Sequence, residues 1–417
     1  MAVVGVAQPG LPRTTPSEPA AGRWGQLVAL SLAELGALSL WFSASAVLPA
    51  LTREWDLGDG GRAGLTLAVQ LGFIAGTLVS AIANLPDVWS PRRLMAASAV
   101  AGAVANAVLA LWIEGIGGAL LCRFITGAAM AGAYPPAMKI MATWFRQGRG
   151  LAIGILIGAL TVGSAMPHLV RGLTVLPWRP TLLVASGLAI LAAAVVIGLV
   201  REGPYPFPTA RFDPRMAAAV FRERGARLAC LGYFGHMWEL YAMWAWIGVF
   251  LAESFAASGA GLDPAMATFV VIASGALGCY AAGAGADRWG RTTLTIVAMA
   301  ISAACCGVIG LTFGGPPVLT MAIAIIWGIS VVADSAQFST AVTELSPPAY
   351  VGTALTTQLC VGFAITLVSI WLIPLAVRAT GWRWAFAVLA IGPVLGVAAM
   401  ARLRALPEAR KLAGGRR

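Results

Sequence analysis

Charge is scarce in this sequence. Only 11% of its 417 residues are Asp, Glu, Lys or Arg, while 59% are hydrophobic. That surplus of apolar side chains exceeds what one water-soluble core can bury, so an ordinary soluble globular protein is excluded. Histidine occurs only twice, at His168 and His236 on different apolar runs, which leaves no H-E-x-x-H zinc motif. The chain also has no nucleophile elbow and no P-loop lysine, which argues against a membrane hydrolase and against an ATP-driven pump. Lysine is nearly missing: of 28 basic residues, only Lys139 and Lys411 are lysine. The net charge of +11 does not make a nucleic-acid binder, because the arginines punctuate hydrophobic runs instead of lining a soluble face. The six cysteines, Cys122, Cys230, Cys279, Cys305, Cys306 and Cys360, lie inside apolar runs without metal-ligand spacing. They offer neither a disulfide framework nor a metal site. No cofactor is called for.

What is abundant is apolar sequence of membrane-crossing length. A bilayer core about 30 Å thick takes roughly 20 helical residues. Runs of that kind fall near 26–50, 64–84, 94–113, 118–138, 150–171, 181–199, 228–251, 265–285, 293–313, 317–338, 352–376 and 384–402. The expected fold is therefore an all-α membrane protein with twelve transmembrane helices. Residues 1–23, rich in Ala, Pro and Gly, read as a disordered cytoplasmic tail. The first apolar run is too long for the core of a cleavable signal. With the N-terminus inside, the external arginines are Arg53, Arg62, Arg171, Arg179, Arg378 and Arg383, and Arg123 lies within a span. The remaining twenty-one basic residues fall on the cytoplasmic side, as the positive-inside rule requires for the inner (cytoplasmic) membrane. Both termini are then cytoplasmic.

The sequence repeats itself. Glu34, Leu35, Ala37 and Trp41 recur as Glu239, Leu240, Ala242 and Trp246, displaced by 205 residues. Asp87 recurs as Asp287, displaced by 200, and Trp178-Arg179 returns as Trp382-Arg383, displaced by 204; Arg149-Gly150 falls on Val351-Gly352. A nearly constant displacement marks an internal duplication. It predicts two pseudo-symmetric six-helix bundles, 24–200 and 228–403, joined by a cytoplasmic linker at 201–227 and followed by a basic cytoplasmic tail at 404–417. Parallel repeats of this kind place a solute site between the halves near the midplane.

The loop "GAGADRWGRT" carries the most specific motif. Its Gly283, Asp287, Arg288, Gly290 and Arg291 match G-x-x-x-D-[RK]-x-G-[RK]-[RK], with Thr292 in place of the last basic residue. By this motif the chain resembles the major facilitator superfamily of secondary transporters. The resemblance implies a cytoplasmic gate made of these residues and of Asp87, Arg92 and Arg93 in the equivalent first-half loop "ANLPDVWSPRRL", where Val88 departs from the pattern. In "CRFITGAAMAG", Arg123 and Gly127 keep the R-x-x-x-G pattern that the resemblance links to proton coupling. Gly154 and Gly158 are kept in the fifth span, yet Ala159 replaces the proline of proton antiporters, which tilts the reading toward import. The arginines expected of nitrate porters in the second and eighth spans are missing.

Against so little charge, the intramembrane exceptions stand out: Glu34, Arg123, His236, Glu239 and Asp334. An ionisable residue at this depth costs roughly 2.5–3.5 kcal/mol on insertion scales and marks a functional position by default. Glu34 and Glu239 are either structural carboxylates bonded to neighbouring helices or acceptors for a proton or a solute. His236 either relays protons or hydrogen-bonds across helices. Helical spacing puts His236, Glu239, Met243 and Trp246 on one face, and sets Asp334 one turn from Gln337. Trp41 and Trp246 share faces with acids and are candidate pocket walls, whereas Trp144, Trp178 and Trp382 fit interfacial anchors. Arg123 needs a partner, with Glu34 a candidate. The substrate and proton pathway is accordingly expected at Glu34, Trp41, Arg123, His236, Glu239, Trp246, Asp334 and Gln337.

The function implied is proton-coupled uptake of a small polar solute by alternating access, with the solute, protons and the lipid bilayer as partners and a monomer sufficient. The alternatives are proton-coupled drug or metabolite efflux, a nitrate or organic-anion porter, and a receptor or scaffold on a transporter fold.

Overall fold

The structure is a computed structural model that describes residues 21–145, 147–174, 176–205, 212–347 and 351–416. Most of the expected N-terminal tail, and Arg146, Arg211 and Arg417 of the expected cytoplasmic set, lie outside these residues. So do the side chains of the two gate acids, Asp87 and Asp287. The described chain is helical throughout, with no strand. In the first half the helices are α1 (Arg23–Leu38), α2 (Ser43–Ala46), α3 (Leu48–Trp55), α4 (Asp59–Ile82), α5 (Leu85–Val88), α6 (Pro91–Trp112), α7 (Ile116–Met130), α8 (Tyr134–Ala142), α9 (Arg149–Leu173) and α10 (Trp178–Gly198). In the second half they are α11 (Arg224–Ser258), α12 (Pro264–Ala273), α13 (Gly275–Trp289), α14 (Arg291–Val308), α15 (Pro317–Ala333), α16 (Ser335–Leu345), α17 (Val351–Thr380), α18 (Trp382–Ala385) and α19 (Ile391–Arg404).

Among the described residues, eleven stretches of helix are long and apolar enough to cross a bilayer, from Asp59–Ile82 to Trp382–Arg404. The first expected span differs, because it is not one helix. α1 stops after 16 residues, and turns separate it from the short α2 and α3. Serine hydroxyls compete for the backbone at this break: Ser39 Oγ donates to the carbonyl of Gly36 at 2.7 Å, and Ser43 Oγ to that of Leu40 at 2.9 Å.

Helix pairing follows from small residues. Gly72 of α4 abuts the backbone of Phe124, and Gly127 of α7 abuts that of Val69, so a Cβ at either position would collide with main chain. Between the halves, α9 packs along α12 and α13, and α4 packs along α17. At the first of these seams Gly154 of α9 and Gly283 of α13 face each other, each pressed against the other's helix backbone. Gly283, expected in the gate motif, therefore serves a close helix crossing. Gly290 follows α13 with φ +85°, a left-handed value that glycine adopts without strain, and it turns the chain directly into α14.

The repeat is visible in the bonding as well as in the sequence. Trp178 Nε1 donates to Glu54 Oε2 at 2.5 Å, and Trp382 Nε1 donates to Glu253 Oε2 at 2.6 Å. Both indoles are buried, so these tryptophans are internal ties and not the interfacial anchors their positions suggest. Trp144, also expected as an anchor, donates to the carbonyl of Arg201 at 2.8 Å.

Two boundaries shift. α11 starts at Arg224, inside the expected 201–227 linker, and runs for 35 residues. The expected C-terminal tail is docked: in the segment Pro407–Gly415, Ala409 and Leu412 are fully buried, and the N–H of Ala413 donates to Glu344 Oε2 at 3.2 Å.

Candidate functional site

Glu34 lies on the buried face of α1 between Leu30 and Leu38. It has no solvent exposure, and neither carboxylate oxygen has a hydrogen-bond partner. Tyr134 opens α8, which packs against α1.

Arg123 does not pair with Glu34. Its guanidinium is 1% exposed; Nη1 donates to the carbonyl of Leu40 and to Ser43 Oγ, both at 3.0 Å, and Nη2 donates to the carbonyl of Trp41. Those carbonyls belong to the break after α1, where the regular helical bonds stop. A guanidinium with several fixed donors suits carbonyls left over by a helix end. Ser43 extends the network through Asn106, whose Oδ1 accepts at 2.8 Å and whose Nδ2 donates to the carbonyl of Leu182 at 2.8 Å and to Ser186 at 3.0 Å. Asn106 drew no notice in the sequence, where one uncharged amide in an alanine-rich run gives little signal.

Glu239 is 2% exposed, but it is bonded. Its Oε1 accepts from Ser302 Oγ, from Trp327 Nε1 and, at 3.0 Å, from Cys306 Sγ. One turn earlier on α11, His236 turns to α16: Nδ1 is 2.8 Å from Asp334 Oδ1, and Nε2 is 2.7 Å from Ser335 Oγ. The His–Asp contact becomes an ion pair when the ring is doubly protonated. Trp246 departs from both, donating to the carbonyl of Ile370 on α17 at 3.0 Å. The expected common face of His236, Glu239 and Trp246 therefore divides: their polar tips reach α16, α14 with α15, and α17. Spacing fixes where a side chain leaves a helix, but three different neighbours decide where each polar end is satisfied.

Gln337 also differs from expectation. Its Oε1 accepts from Arg291 Nη1 at 3.0 Å, and the same guanidinium grips Glu344 in two-pronged fashion, with Nε to Oε2 at 2.9 Å and Nη2 to Oε1 at 2.7 Å. The amide oxygen of Gln337 thus joins Arg291 at the start of α14, while its backbone N–H donates to the carbonyl of Asp334 at 2.9 Å, one turn back as the spacing predicts. Of the other gate residues, Arg92 donates to the carbonyl of Ile197 at 2.8 Å, and Arg93 and Arg288 are exposed. His168, expected near a loop, is buried beside Gly248 of α11, and its Nε2 has no partner.

Between the halves lies a group of rings. Trp41 sits 5.0 Å from Phe73, 5.6 Å from Tyr241 and 5.7 Å from Phe363, and Phe73 sits 4.3 Å from Phe363. Trp41 is therefore a contact between halves, with its Nε1 unbonded. Among the described residues no group of His, Cys, Asp or Glu is arranged to hold a metal ion.

The Major Facilitator Superfamily model matches residues 30–363, most of the chain. The chain belongs to the major facilitator superfamily. Comparison with curated proteins gives no match. As a member of this superfamily the chain is a multi-pass membrane transporter, of a family that moves small solutes and is generally not enzymatic. The glycine crossing of α9 and α13 and the Arg291 clamp thereby belong to a transporter, and Glu34, Glu239 and the rings between the halves are candidates for its internal site.

Proposed function

We propose that this transporter carries out proton-coupled uptake of a small polar solute, with twelve crossings in two six-helix bundles (24–200 and 228–403) that rock about a central site in the cytoplasmic membrane. The broken α1–α3 segment supplies the first crossing, both termini are cytoplasmic, and a monomer is sufficient. The observation that carries the reading is the pair of repeat-related acids, Glu34 and Glu239, buried at corresponding places in the two halves. Insertion of such groups is costly, and a water-lined cavity that opens alternately on each side is the setting that repays it. Rocking is supported by the seams at α9–α13 and α4–α17, which are lined by glycine and aromatic residues and can re-form with little desolvation of charge. The proton is taken up on Glu239, and neutralising that carboxylate weakens its hold on Ser302, Cys306 and Trp327, so that α11 shifts against α14 and α15.

The test is Glu239→Gln in reconstituted vesicles. It should abolish accumulation driven by a pH gradient while leaving solute exchange partly intact. Unchanged accumulation would remove the proton role from this residue. A second reading, exchange of solute for proton in the efflux direction, is favoured by the absence of partners around Glu34, since solute and proton could then compete for one carboxylate. Under that reading Glu239→Gln keeps its coupling to the pH gradient, and Glu34→Gln loses it.

A further inference from the structure

We propose that His168 is a pH switch for the outer mouth of the transporter: a proton that arrives on its ring from outside unseals the junction between α9 and the second half. The proposal rests on the transport reading above, for the orientation and the rocking of the halves, and holds for either direction of solute movement.

The seam that α9 forms with α12 and α13 is closed at both ends. Toward the cytoplasm Gly154 meets the backbone of Cys279 and Gly283, and toward the outside Gly172 meets the backbone of Met266, so closely that a Cβ on either glycine would collide with main chain. His168 lies one turn before Gly172 and is 5% exposed. It reaches across to the second half. Its Cε1 and the side chain of Thr268 in α12 close over Gly248 of α11, 3.7 Å and 3.2 Å from where a Cβ on that glycine would stand. The ring's Nε2 has no hydrogen-bond partner there, and the Thr268 hydroxyl is spent on the carbonyl of Pro264, to which it donates at 2.7 Å.

The charges on the neighbouring elements are engaged elsewhere. Arg171, further along α9, donates to the carbonyl of Leu176 at 2.9 Å, and Arg179 of α10 donates to that of Ala110 at 2.9 Å. Glu253 of α11 accepts from Trp382, and Asp263 caps α12 by accepting from the N–H of Met266 at 2.7 Å. Neither α2 nor α12 contains a titratable residue. On α1 the acid is Glu34, beside Leu35, whose backbone meets α9 at Gly163, more than a turn before His168. Among the described residues no charged side chain pairs with the ring. A doubly protonated His168 in the closed seam is therefore a buried charge without a partner, and the seam relieves it by parting and admitting water. By linkage, one proton of this kind shifts the open-to-closed ratio by up to about tenfold per pH unit. An imidazole in water titrates near pH ~6.5, so the outer mouth stays sealed in neutral medium and opens in mildly acid medium. The backbone is prepared for the movement: Pro167, next to His168, removes a rung from the ladder of α9, and Pro374 does so in α17, near the Arg378–Asp59 pair that joins the other seam.

The experiment measures the separation across the outer seam by pulsed electron spin resonance, on the full-length protein in lipid nanodiscs with spin labels at Leu173→Cys and Leu262→Cys. Both positions are exposed, and with Cys360→Ala the remaining native cysteines are buried. Between about pH 7.5 and about pH 5.5 the ratio of long to short separations should rise about tenfold or more. His168→Gln should hold the short separation at both values, and His168→Arg, charged throughout, should hold the long one. Glu239→Gln should keep the wild-type response. Unfolding temperature and elution volume check the folding of each variant, and His168→Phe, uncharged like the glutamine, decides alongside it if the arginine variant does not fold. A wild-type separation that ignores pH would overturn the proposal, as would a folded His168→Gln protein that responds as wild type does. A response lost in Glu239→Gln and kept in His168→Gln would overturn it too, while leaving the proton role of Glu239 standing. The reverse case is a response that needs His168 in a protein whose pH-driven accumulation survives Glu239→Gln: the switch then stands and the proton role of Glu239 falls.

Discussion

Glu34 and Glu239 occupy the same place in two copies of one pattern, yet their surroundings are opposite. Glu239 sits in a continuous helix and receives a hydroxyl, an indole and a thiol. Glu34 receives nothing. At the displacements of 200 and 202 residues that flank this stretch, Ser302, Cys306 and Trp327 fall on Gly102 or Val100, Asn106 or Val104, and Gly127 or Ile125. None of these repeats the donor of the second half, and Arg123 is turned onto the break after α1. His236, at the displacement of the two acids, corresponds to Ser31, whose hydroxyl is also unbonded. The duplication thus produced one satisfied acid and one open acid, and the open one is suited to a partner that arrives and leaves.

The largest effect should come from the direct contrast between the acids. Glu239→Leu strands three buried donors and should cost about 2–3 kcal/mol, whereas Glu34→Leu strands none and should be neutral or stabilising. Equal losses for the two would erase the asymmetry. Next is removing what holds the first half open in this way. Arg123→Ala takes the donor from the buried carbonyl of Trp41, while that of Leu40 keeps Ser43, and the expected loss is about 2 kcal/mol of stability. Thermal unfolding in detergent measures it, and an unchanged midpoint would mean that the break is held by packing alone.

The Glu34–Glu239 repeat was legible because both acids stand in long uncharged runs, and the superfamily motif around Gly283 and Gly290 pointed to the right family. The helix ends were also close, since apolar length is dictated by the bilayer. The partners were not legible. Nothing in the spacing says that Arg123 prefers backbone carbonyls to Glu34, because the break at 39–42 that presents them contains neither proline nor glycine. Gln337 looked like a neighbour of Asp334 by helical spacing, but Arg291, 46 residues away, claims its amide oxygen. Trp178 and Trp382 looked like anchors because the acids they bond, Glu54 and Glu253, lie more than a hundred residues earlier.

Two smaller effects sharpen the contrast further. Trp327→Phe removes one of the three donors to Glu239 and should cost about 1 kcal/mol, with no counterpart effect around Glu34. Smallest is Arg378→Ala, which breaks the pair with Asp59 between α17 and α4, 2.5 Å apart with the arginine 67% exposed. An exposed pair of this kind contributes about 0–1 kcal/mol, so the change in unfolding midpoint should be slight and should vanish in high salt.

The most direct measurement is uptake of labelled small polar nutrients, tried one at a time, into vesicles held acidic outside, for the wild type and the two glutamine variants side by side. Wild type should accumulate at least one of them, Glu239→Gln should only equilibrate it, and Glu34→Gln should do neither. Accumulation by Glu34→Gln at the wild-type level would contradict the account.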